Sequence, residues 1–177
     1  MNIAESKRQN NIAEYIIHMY QTEDLVRAYA FDLERIKNNI INHLPEKEED
    51  KASLTAWYAD IIAKMKQEGI EMSGHLSEVQ AIVQELTDIH EELQSTDNNF
   101  EAVYHASKAH IDKSMAFAKG QIISEVQICL NGVYGLLLLR LNDKKVADEL
   151  LESISAFGDI LSYLSYKYKQ KHFMSEN

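Results

Sequence analysis

Polar residues of chemical interest gather near the start of the chain, where Glu14, His18, Gln21, Glu23, Asp24 and Arg27 interleave with apolar neighbours. Asp24 and Arg27 stand three positions apart, within pairing reach on one helix face. Much later, Arg140 interrupts a run of leucines. A guanidinium keeps its charge in any setting, so an arginine buried there requires a carboxylate. Glu14 or Asp24 is expected to supply it. That network either fixes helix register and binds nothing or, with Arg27, makes a small anion site beside Arg140. A wider version is an inter-helix pocket lined by Glu14, Arg27, His90, Tyr134 and Arg140.

Metal chemistry has a weaker basis. Glu14 with His18, Glu71 with His75 and Glu101 with His105 recur at i, i+4 and so share a helix face. The Glu-x-x-His pairs that build di-metal centres in bundles are absent from the sequence. These i, i+4 pairs read as surface ion or hydrogen-bond pairs, a metal-dependent bundle is the third reading, and no metal ligand is assigned. The sequence has no phosphate loop, no His-Glu-x-x-His and no serine or cysteine beside a base at local spacing. No catalytic residue is therefore assigned and no cofactor is expected. Cys129 reads as a small buried hydrophobe. His90, next to Ile89, reads as a core-edge histidine bonded to a carbonyl or carboxylate. Gly132 and Gly135 fall within a helix, where small residues admit another backbone.

The elements that must hold these residues are helices. One proline and six glycines leave little material for tight turns. Apolar residues at Ile12, Tyr15, Ile16, Met19 and Tyr20 predict a first helix over about 5–20. Thr22 predicts an N-cap for a second, with Glu23 and Asp24 in its positive first turn. After the charged patch 46–51, a connection or a first exposed turn, Leu54 to Met65 mark a third helix stopped by Gly69, and Leu76 to Leu93 mark a fourth, with Ser77 and Gln80 forming a capping box. Spacing from Val103 to Val133 keeps helical phase. A continuous rod of that length is wider than the domain, so a break is expected near Lys119-Gly120. Asn142-Asp143 is expected to end the next helix and cap the last. The Ile122 to Leu141 segment is apolar on every side through Leu136 to Leu139, and Glu125, Gln127, Asn131 and Arg140 interrupt it too often for lipid. The expectation is an all-α, single-domain bundle of about six helices, residues 1–177, packed around Ile122 to Leu141, with Arg140 neutralised inside.

Charge sets further bounds. A net charge of −10 and a pI near 5.1 oppose general affinity for nucleic acid or anionic membrane. The opening residues lack the apolar core of a signal peptide and no segment reads as a span, so a cytoplasmic location is expected.

At Lys7-Arg-Gln-Asn-Asn11-Ile-Ala-Glu14-Tyr-Ile-Ile-His-Met-Tyr-Gln21-Thr-Glu-Asp24-Leu-Val-Arg27-Ala the chain resembles the opening of an uncharacterised family of all-helical proteins of similar length from Bacteroides-type bacteria. The family is known only as a domain of unknown function. Gly74-His-Leu76, Glu85-Leu86 with His90, and Leu130-Asn-Gly-Val-Tyr-Gly135 extend the likeness over most of the chain. His18 and Tyr20 stand where the family pattern has Tyr and Trp. The resemblance implies a helical fold and a bacterial cytoplasmic setting, and no activity.

The leading expectation is a non-enzymatic interaction or scaffold protein that associates with itself or another protein. Trp57, Tyr58, Tyr163, Tyr166 and Tyr168 are available for an apolar contact patch. The alternative is an anion sensor or enzyme using the pocket near Arg140.

Overall fold

The computed structural model describes residues 3–122 and 124–174, and within them the chain is all-α, with eight α-helices, one 3-10 turn and no strand. The helices are α1 (Ile3–Asn10), α2 (Ile12–Ala28), α3 (Leu33–Asn39), α4 (Glu48–Gln67), α5 (Ser77–Thr96), α6 (Asn98–Phe117), α7 (Glu125–Leu141) and α8 (Asp148–Phe173). Two compact units are formed, one from Met1–Ser6 and His18–Ala81, the other from Lys7–Ile17 and Ile82–Asn177.

The helix boundaries follow local chemistry, though not always at the residues the pattern suggests. Thr22 does not begin a helix. Its Oγ1 donates to the His18 carbonyl at 2.8 Å, which satisfies the hydroxyl while Thr22 stays inside α2. The break falls later, where Ala30 and Phe31 take positive φ and Asp32 caps α3 by accepting the Arg35 N–H. An earlier break lies at Asn11, whose Oδ1 accepts the Glu14 N–H. The described residues hold eight α-helices where about six were expected.

In the first unit, α4 buries Tyr58, Ile61, Ile62 and Met65 and packs on α3. It stops at Gly69, which takes the left-handed backbone (φ 68°) that favours glycine. Ser77 is the first helical residue of α5 rather than its cap, since its N–H and Oγ both donate to Glu68 at 2.8 Å.

In the second unit, Asp97 caps α6 through the Asn99 and Phe100 N–H groups, and Ser124 caps α7 through Gln127. The stretch between Phe100 and Leu141 is two helices, parted where Lys119 and Gly120 take positive φ; Ile123 lies outside the described residues. Asp143 does not cap α8. It adopts φ 51° in the connection, and α8 begins after Ala147 with no side-chain cap.

The expectation that Ile122 to Leu141 is enclosed on every side needs correction. Val126, Ile128, Cys129 and Leu130 are buried, but from Asn131 onward the helix is half-exposed, with Leu138 at 38% and Leu141 at 65%. Helices α6 and α8 pack against α7, and their cover gives out toward its C-terminal end.

Candidate functional site

Two carboxylate–histidine pairs, each with one member almost wholly buried, and an apolar end stand out. In the first unit, Tyr20, Glu23 and Arg27 lie three and four positions apart on α2 and therefore share a face. All three reach the connection between α4 and α5. Tyr20 stacks on the His75 ring, centroids 3.7 Å apart. Glu23, 0% exposed, sets one oxygen 2.6 Å from His75 Nδ1 and accepts the Leu76 N–H on the other at 2.9 Å. Arg27 donates to the Ile70 carbonyl at 3.0 Å, to the Gly74 carbonyl at 2.5 Å and to Asp24 at 3.1 Å.

A buried carboxylate is costly unless its oxygens find partners, and here the imidazole and an amide supply one to each. Glu23 thereby ties the start of α5 to α2. The His75 ring, with Nδ1 toward the carboxylate, is otherwise part-exposed. The arrangement can orient an imidazole; among the described residues no nucleophile stands against it.

In the second unit, His90 is 3% exposed and its Nε2 lies 2.8 Å from Glu125 Oε2. The other oxygen of Glu125 accepts the Tyr104 hydroxyl at 3.2 Å, with Lys108 Nζ 3.7 Å away. Phe100 and Tyr104 meet the imidazole edge-on, and its Nδ1 is buried without a partner among the described residues. The hydrogen bond from His90, opposed by burial and aided by Tyr104 and Lys108, holds the Glu125 carboxyl below the usual range. Burial, then the Glu125 charge, pushes the Tyr104 hydroxyl up. Burial also drives the Cys129 thiol up to about 12, with Glu125 adding to it. A thiol held protonated is a poor nucleophile at neutral pH.

The six residues expected to form a network or pocket are placed as follows. Glu14 is exposed and pairs with Lys7 at 3.1 Å. Asp24 and Arg27 pair with each other, and Arg27 spends its remaining donors on backbone carbonyls. Tyr134 is half-buried on α7. Arg140 is exposed, and no carboxylate of the described residues pairs with it. The internal neutralisation of Arg140 by Glu14 or Asp24, and the anion pocket built on it, are therefore discarded. The reason is the one already given for α7: its last turns are wet, and a solvated guanidinium needs no partner. His90 contacts α7 at Glu125, fifteen positions before Arg140, or about 22 Å along the helix. A single small pocket does not span that.

Two of the histidines of the i, i+4 Glu–His pairs have partners elsewhere. His18 stacks on Trp57, His75 turns to Glu23, and Glu101 and His105 are both exposed. Among the described residues no group of three or more His, Cys, Asp or Glu converges as a metal site would need. Glu23 stands in the sequence within the polar group at the start of the chain and in an expected first helical turn. Its partner is fifty-two positions away, and no spacing rule reaches that far.

The third feature is apolar. A groove of about 530 Å³ runs between the end of α7 and the start of α8, lined by residues that include Gly135, Leu136, Leu139, Leu150 and Ile154. Leu138, Leu141, Leu150 and Leu151 are exposed around it. Phe117, one turn beyond the Lys113 that pairs with Glu149, is exposed at the same end of α6.

Fold and sites together define an all-helical protein with internally bonded polar clusters and one uncovered apolar end, and no helix of the described residues is long and apolar enough to cross a membrane. The chain belongs to the family described as Domain of unknown function (DUF4924), which matches residues 1–174. No curated protein and no solved structure matches it. The sequence pieces that carry the family likeness acquire physical roles here. Glu23 and Arg27 of the opening stretch hold Gly74-His-Leu76, and a Cβ at Gly132 would fall 2.5 Å from the Phe157 ring.

Proposed function

We propose that the protein is a non-enzymatic interaction protein that associates with a second copy of itself through the α7–α8 end. The carrying observation is the cluster of exposed leucines around the groove at Gly135 and Leu139. A helix apolar on all sides, left half-exposed, is the kind of surface that association covers. Charge favours a like partner there. Residues 138–152 carry three cations, Arg140, Lys144 and Lys145, against four anions, Asp143, Asp148, Glu149 and Glu152, whereas the chain as a whole stands at −10. A two-fold interface presents the same patch twice, so a patch of mixed sign can be complementary to itself.

Sedimentation velocity over a micromolar dilution series tests this. The wild-type protein is expected to shift from monomer to dimer with concentration, and the Leu138→Glu/Leu141→Glu variant to stay monomeric with unchanged helicity. A wild-type protein monomeric throughout would end the proposal.

A further inference from the structure

On the other side of α8 lies a second groove, between α6 and α8, of about 900 Å³. Its floor is made of small residues. Ala102, Ala106 and Ser107 face Ser155, Ala156 and Ser162, and the helices come close enough for Ser107 Oγ to donate to the Ala156 carbonyl at 3.3 Å. Glu152, Ser155, Asp159, Ser162 and Tyr166 recur along α8 at three and four positions, so one lip of the groove is a straight exposed stripe. From Glu152 to Tyr166 that stripe covers about 21 Å, or four helical turns.

The charge on this lip has one sign. Glu152 and Asp159 are exposed and have no cationic partner among the described residues. Two cations of the same helix pair are already committed, Lys113 to Glu149 and Lys167, which also lies over the Tyr163 ring at one end of the groove, to Asp97. Two uncommitted carboxylates seven positions apart thus edge a shallow, small-residue trough, in a chain whose net charge is −10.

We propose that the α6–α8 groove receives a basic amphipathic helix of a partner protein. Small residues on the floor let a helix axis approach to the ordinary packing distance of about 8–10 Å. The partner's apolar ridge lies along Ala102, Ala106 and Ala156, and two of its lysines or arginines, seven positions apart, meet Glu152 and Asp159. A second copy of this chain is the poorer fit, because it brings the same excess of negative charge; opposite charge on the incoming helix both steers it and rejects like-charged competitors.

The test uses the full chain and a fluorescein-labelled four-turn peptide of alanine, leucine and lysine, with lysines seven apart beside the apolar face, followed by fluorescence anisotropy. Saturable one-to-one binding is expected, weakened at least tenfold in Glu152→Lys/Asp159→Lys and by Ala106→Trp, which fills the trough. Ala106→Ser, which leaves the trough open, is expected to bind as wild type. A peptide with the same apolar face and glutamates for lysines is expected to bind at least tenfold more weakly. Three results would overturn the proposal: no saturable binding, equal binding by Ala106→Trp, or equal binding of the two peptides. Self-association abolished by Ala106→Trp would also overturn it, assigning the groove to a second copy. The Leu138→Glu/Leu141→Glu variant keeps its peptide binding whether or not the α7–α8 end associates, so the two proposals fail separately.

Discussion

At the scale of single residues, the most consequential side chain is Glu23. It is wholly buried and satisfies both His75 and the Leu76 N–H. Its removal leaves an amide and an imidazole without their acceptor inside the protein. Glu23→Ala is expected to cost roughly 1–3 kcal/mol in urea unfolding, the usual penalty for a buried donor left unpaired. Glu23→Gln keeps a carbonyl for the Leu76 N–H and is expected to lose less. Equal stability of Glu23→Ala and wild type would show that the carboxylate does not anchor the start of α5. The polar residues around Glu23 were visible in the sequence as a group, but their partners were not. Asp24 and Arg27 pair within one helical turn, as spacing predicted, whereas His75 and Gly74 are brought to Glu23 and Arg27 by the folding of the chain.

At the scale of elements, α7 separates two glycines that look equivalent on paper. A Cβ added at Gly132 would fall 2.5 Å from the Phe157 ring, while one at Gly135 has nothing within 4 Å. Alanine in a helix interior gains about 1 kcal/mol over glycine, and overpacking costs roughly 1–3 kcal/mol. Gly132→Ala is therefore expected to lower the thermal midpoint and Gly135→Ala to raise it. A stabilising Gly132→Ala would mean that α7 and α8 are farther apart than described. The same comparison shows where periodicity misleads. Apolar spacing located the helices well, including the stop at Gly69 and the parting near Gly120, yet it placed a cap at Thr22. A threonine can bond the carbonyl four residues back and stay helical, and pattern alone does not distinguish the two uses.

At the scale of the whole molecule, acid is the simplest probe of how the helices of the second unit are joined. Asp97 caps α6 and takes the Lys167 ammonium and the Tyr163 hydroxyl of α8, with the Phe100 N–H. The bond from Lys167, then that from Phe100, then that from Tyr163 lowers its carboxyl to about 2. A carboxyl depressed in the folded state contributes stability in full above its unfolded value and loses it as pH falls toward the folded one. Stability is thus expected to decline as pH drops from about 4 to about 2, and Asp97→Asn to flatten that part of the curve. Glu125, held down first by His90, adds to the decline from its own ordinary value near 4.5. An unchanged acid limb in Asp97→Asn would remove Asp97 from the account.

What the sequence determined by itself was the helical class, most helix positions, the family likeness and the sign of the surface charge. These follow from composition and from spacings of three and four residues, which are local quantities. The tertiary structure decided which surfaces are covered. Four consecutive leucines state that a helix is apolar all round, but only the arrangement of α6 and α8 leaves its last turns, Arg140 included, in water. Burial and pairing depend on neighbours far along the chain, and those neighbours exist only once it has folded.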